Sequence, residues 1–203
     1  MIIRKATITD LSSITKIHID AFKGYFLTSL GPQFLDFYYT CFIKSPETET
    51  FIAEENGIII GFAASTKVCK GFNSRLIKRN LVSFGILSLR LLFMSPSTLL
   101  RLLKNLKKKG KSVEDNEYYA ELYSIGVSSS AQRLGIGKKL LFHTEQALID
   151  AGVDRLSLTT DYYDNDSAIR FYRSMGYETF YEFVTYPNRK MYRLIKKLNR
   201  SYK

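Results

Sequence analysis

The sequence has few of the residues that build disulfide frameworks or metal sites. Among its 203 residues there are two cysteines, two histidines and no tryptophan. Cys41 and Cys69 are too few for a disulfide framework and match no metal-ligand spacing, so we expect no metal and a reducing compartment. His18 and His143 fall on predicted helices outside the motifs described below, where surface or packing roles are expected.

Nothing in the sequence predicts export or membrane crossing. The first seven residues contain no basic leader followed by an apolar run, so no secretory signal is visible. The apolar stretch 81–94 is interrupted by Arg90 and is too short to span a bilayer. We therefore expect a cytoplasmic protein.

Acidic residues are missing from one long segment of the chain. The net charge is +11, and twelve basic residues with no Asp or Glu lie between Lys67 and Lys111. The rest of the chain is close to neutral, so we expect a near-neutral domain that carries a cationic segment. A nucleic-acid binder would spread its charge differently, and nucleic acid is not the expected partner.

Residues 95–110 of that segment predict a basic amphipathic helix, with leucines on one face and cations on the other. Three interpretations stay open. The segment could be a helical lid over the core, or it could lie on an anionic membrane surface and make the protein peripheral to the membrane. It could also bind an anionic substrate such as a nucleotide-linked sugar, or nucleic acid.

The remaining sequence alternates strand and helix patterns. Asn56-Gly57 between two apolar runs is a strong hairpin signal. Residues 24–31 are typical of a loop, and Pro32 is typical of the first turn of a helix. The predicted strands are 2–6, 50–54, 58–66, 118–127, 155–160, 177–186 and 190–195, and the predicted helices begin near 11, 32, 135 and 167.

One short motif carries most of the chemical information. The sequence Gln132-Arg133-Leu134-Gly135-Ile136-Gly137 lies directly between a predicted strand and a predicted helix. Glycines at such a turn let backbone N–H groups approach a diphosphate, and the helix N-terminus adds its positive end. Taken alone, the motif could also be a tight structural turn. It matches neither a P-loop nor a dinucleotide fingerprint.

A second motif follows after the next strand: Asn165, Ala168, Phe171, Tyr172, Gly176 and Tyr177. Together the two motifs resemble the GNAT superfamily of acyl-CoA-dependent N-acetyltransferases. The resemblance covers about 2–67 and 118–195. It implies an α/β fold: a mixed, mostly antiparallel central sheet with a splayed strand pair, flanked by helices. We expect one domain, 1–203, with a basic helical insertion at about 69–117.

The resemblance also implies where acetyl-CoA would bind. Its pantetheine arm would pair with backbone at Ile125, Gly126 and Val127, and Asn165 would hydrogen-bond the same arm. The pyrophosphate would lie on amides from Gln132 to Lys138. No metal is implied.

Two residues receive catalytic roles from the resemblance. Tyr172 matches the position that often protonates the departing thiolate, although it could be a core aromatic beside Phe171. Glu121 falls where histone-type members carry a general base, and a carboxylate in an apolar strand should have a raised pKa. Glu121 could instead be structural, with water carrying the proton.

The sequence leaves the acceptor open. Tyr25 and Phe26, in the loop between the first two helices, and Tyr162, after a strand, could line its pocket or simply pack. We expect acetyl transfer to a primary amine of an amino sugar, a peptide or a protein. A non-catalytic acyl-CoA-binding protein and a module that binds through its basic segment are the alternatives. The oligomeric state is not predicted, although a dimer is plausible.

Overall fold

Seven strands form one sheet in the computed structural model, which describes residues 1–94, 115–185 and 188–199. In the order of the chain they are β1 (Ile2–Lys5), β2 (Thr48–Glu55), β3 (Ile58–Thr66), β4 (Ala120–Val127), β5 (Arg155–Asp161), β6 (Glu178–Thr185) and β7 (Arg189–Lys197). In the sheet they are ordered β1-β2-β3-β4-β5-β7-β6. All neighbouring strands are antiparallel except β4 and β5, which are parallel. The mixed, mostly antiparallel sheet is confirmed.

Helices connect and cover the strands. They are α1 (Leu11–Ala21), α2 (Phe26–Ser29), α3 (Pro32–Lys44), α4 (Phe72–Arg79), α5 (Leu81–Met94), α6 (Ile136–Asp150) and α7 (Asp166–Ser174). The prediction of a loop throughout 24–31 is wrong, because residues 26–29 make a helical turn. The Thr28 hydroxyl donates to the Phe22 carbonyl and holds this turn against the end of α1.

The alternation of side chains along the strands gives the sheet two apolar faces. On one face, Phe51 and Ala53 of β2 pack in a core with Leu140 and Leu141 of α6. On the other face, Ile52 and its neighbours on β3 pack against α1 and α3. The turn between β2 and β3 has positive φ at both Asn56 and Gly57, as a two-residue hairpin requires.

The parallel pair is short. Ala120, Glu121 and Leu122 of β4 pair with Leu156, Ser157 and Leu158 of β5, and within the described strands the pairing stops there. Beyond this point Tyr123 forms a bulge, because Ala64 of β3 pairs with Ser124 while Ser65 pairs with Leu122. The splayed pair is thus confirmed. We call the gap between residues 123–127 and 159–161 the wedge.

The start of the basic segment is helical. Helices α4 and α5 follow β3, and Leu81, Val82, Ile86 and Leu89 of α5 are exposed. None of the helices in the described part of the chain is long and apolar enough to cross a membrane. The amphipathic helix predicted at 95–110 lies outside the described residues.

Candidate active site

A cavity of about 460 Å³ opens at the wedge. Leu122 to Ile125 of β4 and Leu158 to Asp161 of β5 form two of its walls, and α7 forms a third. The fourth wall consists of α1, α2 and the segment between them. We call this space the central cavity. Because the strands diverge here, a ligand can reach backbone that is covered elsewhere in the sheet.

Helix α7 presents one face to the central cavity. Asn165, its N-cap, and Ala168 and Tyr172 within it all line the cavity. Their spacing of three and four residues places them on one side of a helix. The second sequence motif therefore supplies the side chains on the face of α7 that borders the wedge.

Tyr172 and Asn165 are held firmly on this face. The Tyr172 ring packs edge-on against Phe171 and Tyr177, with ring centroids 5.0 and 5.8 Å apart. Burial, with a smaller contribution from Tyr25, raises the pKa of the Tyr172 hydroxyl, so it keeps its proton at neutral pH. The Asn165 side-chain amide donates to the Thr160 hydroxyl at 2.5 Å and to the Asp161 carbonyl at 3.4 Å.

The wall opposite α7 is aromatic. Phe22, Tyr25 and Phe26 line the central cavity. Tyr25 lies under the Arg189 guanidinium, 4.8 Å from ring centroid to carbon, and Arg189 in turn makes a two-pronged ion pair with Asp161. The pKa of Arg189 is raised chiefly by this hydrogen bonding to Asp161.

Sequence reasoning missed Asp161 and Arg189 and placed Tyr162 in the pocket instead. Tyr162 is not among the residues that line the central cavity. Its ring stacks on Tyr192 at 4.7 Å between centroids, and the Lys190 ammonium lies 3.6 Å from its ring centroid.

The glycine motif forms a tight turn between β4 and α6. Arg133 and Gly135 both have positive φ, 64° and 76°, and α6 begins at the next residue. Backbone N–H groups in such a turn point into one concavity, and those of the first helical turn have no acceptor within the helix. The Gln132 side chain donates to the Val127 carbonyl at 3.5 Å and links the turn to the end of β4.

The chemistry of this turn fits a diphosphate. Gly137 does not have a positive φ, and a Cβ placed there would meet nothing closer than the Phe171 ring at 3.5 Å. The fold therefore tolerates a side chain at this position. The packing of the protein therefore gives no reason for glycine at this position. Close approach of a ligand to the backbone would give one.

Glu121 has partners that its strand position did not reveal. Its carboxylate accepts hydrogen bonds from the Arg193 guanidinium at 3.0 Å and from the Cys69 thiol at 2.8 Å, and Arg193 also donates to Ser157 at 3.0 Å. Burial lowers the pKa of Arg193, but Glu121 and Tyr119 outweigh that effect and raise it. Glu121 is not among the residues that line the central cavity. We call Glu121, Arg193, Ser157 and Cys69 the junction cluster.

The histidines and cysteines occupy different environments. His18 is buried and lines the central cavity, while His143 is exposed on α6. Cys41, on α3, is buried in the core between that helix and the sheet. In the described ranges no group of three or more His, Cys, Asp or Glu side chains could hold a metal ion.

Comparison with solved structures gives the same architecture. A ribosomal-protein-alanine N-acetyltransferase from Brucella melitensis aligns with a TM-score of 0.64 and 18% identity, over 98% of this chain and 100% of that one. An N-acetyltransferase from Staphylococcus aureus aligns at 0.62 and 16%, over 98% of each chain. The yncA structure from Salmonella typhimurium, which holds its cofactor acetyl-CoA, aligns at 0.61 and 16%, over 100% and 96%. At such identities the likeness establishes the fold.

Sequence comparison identifies the family. No curated protein matches the chain. The family model described as Acetyltransferase (GNAT) family matches residues 11–177, which include α1, the glycine motif, the wedge strands and α7. Because this match spans most of the 203 residues, the chain belongs to the GNAT family of acetyltransferases.

Proposed function

We propose that the protein transfers the acetyl group of acetyl-CoA to a primary amine of an acceptor bound against α1 and α2. The wedge is the observation that carries this proposal. At its open end β4 has lost β5 as a partner, and the central cavity lies alongside with Tyr172 and Asn165 on its wall. An extended molecule can pair with such a strand edge.

The same geometry supports a position for acetyl-CoA. The pantetheine arm would lie in the wedge beside Ile125, Gly126 and Val127, with Asn165 on its other side. The pyrophosphate would lie on the turn and the first amides of α6, residues 132–138. In this position acetyl-CoA would contact both sequence motifs, the glycine motif through its pyrophosphate and the α7 motif through its pantetheine arm.

The reaction then needs one proton donor near sulfur. The amine nitrogen attacks the thioester carbonyl carbon, so that the C–N bond forms as the C–S bond breaks. The sulfur leaves with the bonding electron pair and takes the proton of the Tyr172 hydroxyl. The proton that the attacking nitrogen loses as the amide forms passes through water and restores the Tyr172 hydroxyl. Because burial raises the pKa of Tyr172, the hydroxyl carries this proton at neutral pH but gives it up less readily than an exposed phenol would.

The acceptor must lose a proton before it attacks, and Glu121 is the base that sequence analysis suggested. Its ion pair with Arg193 and its hydrogen bond from Cys69 favour the alternative, a structural carboxylate with water as the proton carrier. We propose that the ammonium releases its proton to water in the open cavity.

Binding of acetyl-CoA is the first test. Acetyl-CoA at 100 times its dissociation constant should add about 2.7 kcal/mol of stability, which raises the melting temperature by roughly 5 to 10 °C. Release of the CoA thiol is then followed with glucosamine, alaninamide and spermidine as acceptors. Stabilisation without transfer to any amine would favour the alternative of a non-catalytic acyl-CoA-binding protein.

Tyr172→Phe tests the chemistry. The substitution removes only the hydroxyl, so acetyl-CoA should bind as before while kcat falls by about 10²- to 10⁴-fold. Tyr163→Phe is the matched control, because Tyr163 is an exposed tyrosine that does not line the central cavity. Equal rates in the two variants would contradict the role of Tyr172.

A second candidate concerns the basic segment. The exposed apolar side chains of α5 lie within the stretch 67–111 that carries twelve basic and no acidic residues. We propose that this segment binds an anionic membrane surface, since apolar and cationic side chains together favour the lipid interface. Sedimentation with vesicles of phosphatidylserine and phosphatidylcholine, compared with phosphatidylcholine alone, tests it. Equal sedimentation with both would contradict it.

A further inference from the structure

The charged side chains on the wall of the central cavity form one ion pair. Among the described residues that line the cavity, Asp161 and Arg189 are the two that carry charge at neutral pH. His18 also lines it, but burial lowers the pKa of His18 to about 4, so the imidazole is neutral. On the described wall, a charged acceptor therefore finds an opposite charge at the Asp161–Arg189 pair.

This pair is partly open to solvent, unlike the Glu121–Arg193 pair. The side chains of Asp161 and Arg189 are 19% and 35% exposed, compared with 10% and 11% for Glu121 and Arg193. The bonds from Nε and Nη2 of Arg189 to the carboxylate use two of the five N–H groups of the guanidinium, and the carboxylate offers about four lone-pair sites. Both groups therefore retain hydrogen-bonding capacity for a bound molecule.

Tyr25 connects the pair to the proposed proton donor. The Arg189 guanidinium lies over the Tyr25 ring. Burial is the main reason that the pKa of Tyr25 is raised, and Asp161 raises it further while Arg189 lowers it, so Tyr25 lies beside both charges. Tyr25 also contributes, after burial, to the raised pKa of Tyr172. The ion pair, Tyr25 and Tyr172 are thus neighbours around the same cavity.

The two charges of the pair favour an acceptor that carries both signs. An ammonium alone is attracted by Asp161 and repelled by Arg189, and a carboxylate alone meets the reverse. A zwitterion can place its carboxylate at the guanidinium and its ammonium at the aspartate, so that both of its charges are paired. A guanidinium also matches the planar geometry of a carboxylate. An amino acid combines these two groups with an amine that can attack a thioester.

We propose that the acceptor is a free amino acid, whose carboxylate binds Arg189 and whose amino group lies beside Asp161. This inference rests on the proposed function and names its acceptor. The reaction keeps the same steps: the ammonium releases its proton to water, and the amine attacks the thioester carbon. Asp161 and Arg189 determine the specificity for the acceptor, and Tyr25 supports the guanidinium.

Amino acids and their amides test recognition of the carboxylate. Alanine and phenylalanine are each compared with the matching amide at one pH, by release of the CoA thiol. The amide lacks the negative charge and has the less basic amine, so more of it is unprotonated and its intrinsic reactivity is favoured. We nevertheless expect kcat/KM to be at least about tenfold higher for each free amino acid.

Two variants separate recognition from support of the fold. Arg189→Gln removes the charge that binds the carboxylate, so kcat/KM should fall by about tenfold or more for the free amino acids but should not fall for the amides. Asp161→Asn combined with Arg189→Gln keeps two side chains that can hydrogen-bond to each other and removes both charges. A structural pair predicts that this double variant recovers the preference for alanine, whereas the proposed role predicts that the preference stays lost.

A matched control uses the neighbouring ion pair of β6 and β7. Glu182→Gln combined with Lys190→Gln removes two opposite charges that do not line the central cavity. This variant should keep the wild-type preference for free amino acids. The rise in melting temperature with acetyl-CoA shows that each variant is folded and still binds the cofactor.

Two outcomes overturn the inference and leave the proposed function intact. One is transfer by the wild type to the amides, glucosamine or spermidine with a kcat/KM equal to or above that of the free amino acids. The other is a preference for free amino acids that Arg189→Gln retains or that the double variant restores. If the wild type transfers acetyl to none of these amines, the proposed function fails and the inference fails with it.

Discussion

Removing the Glu121 carboxylate should destabilise the fold strongly. The Glu121 and Arg193 side chains are only 10% and 11% exposed, and their charged atoms lie 3.0 Å apart. In Glu121→Ala the guanidinium keeps its hydrogen bond to Ser157 but loses the opposite charge. Breaking one partner of a buried pair typically costs about 3 to 5 kcal/mol. In a chain of this size that lowers the melting temperature by roughly 6 to 20 °C.

The assay is urea unfolding followed by circular dichroism, with two companion variants. Glu121→Leu combined with Arg193→Met should recover most of the loss, because apolar replacement of a buried pair is often neutral. Glu182→Ala removes one partner of the Glu182–Lys190 pair, whose side chains are 42% and 31% exposed, and should cost less than about 1 kcal/mol.

Two results would refute this reasoning. One is a Glu121→Ala protein within 1 kcal/mol of the wild type, by the same order-of-magnitude scale. The other is a double variant whose loss equals the sum of the two single losses. The double variant also separates structure from chemistry, since a folded protein that lacks Glu121 and keeps its kcat would show that Glu121 is not the base.

Three further predictions concern the pH dependence of stability and two of the glycines. The neutral His18 ring is favoured in the fold, whereas a histidine in the unfolded chain has a pKa of about 6.5. The free energy of unfolding should therefore fall as the pH drops from about 6.5 towards 4, by about 2 kcal/mol at pH 5. Urea titrations at pH 7.5 and pH 5 measure this fall. An equal fall in the His18→Gln variant would contradict the prediction. A Cβ at Gly126 would lie 2.9 Å from the Phe62 ring, so Gly126→Ala should cost about 1–3 kcal/mol. Gly137→Ala should melt like the wild type yet bind acetyl-CoA at least tenfold more weakly by calorimetry, and unchanged affinity would remove the proposed contact with the pyrophosphate.

Local sequence patterns were enough to predict most of the strands and helices, and the resemblance to the GNAT superfamily predicted the mixed sheet with its splayed pair. The alternation in β2 and β3, the Asn56-Gly57 turn and the glycine motif each involve neighbours in the chain, and periodicity reports on neighbours. The two motifs also predicted that Tyr172 and Asn165 belong to one site. The cavity joins them because α7 turns its 165–168–172 face towards the wedge.

The partners of these residues could not be predicted in the same way. Glu121 meets Arg193 across 72 residues, His18 meets Tyr39 across 21 and Asp161 meets Arg189 across 28. A local sequence pattern does not predict these long-range contacts, because they depend on the order of the strands and on which face of each strand is buried.

The junction cluster lies where β4 and β5 diverge, because Glu121 and Ser157 belong to the short parallel pair. Val127 lies five residues beyond Leu122, the last residue of β4 that pairs with β5, a span of about 17 Å at the usual rise per residue. A change of 5° in the angle between β4 and β5 at the junction cluster would therefore move Val127 by about 1.5 Å relative to β5. Misplacement of reacting atoms by about 1 Å can cost 100-fold in rate. We therefore expect substitutions in the junction cluster to change the distance between thioester and amine in the wedge, although the cluster contacts neither group.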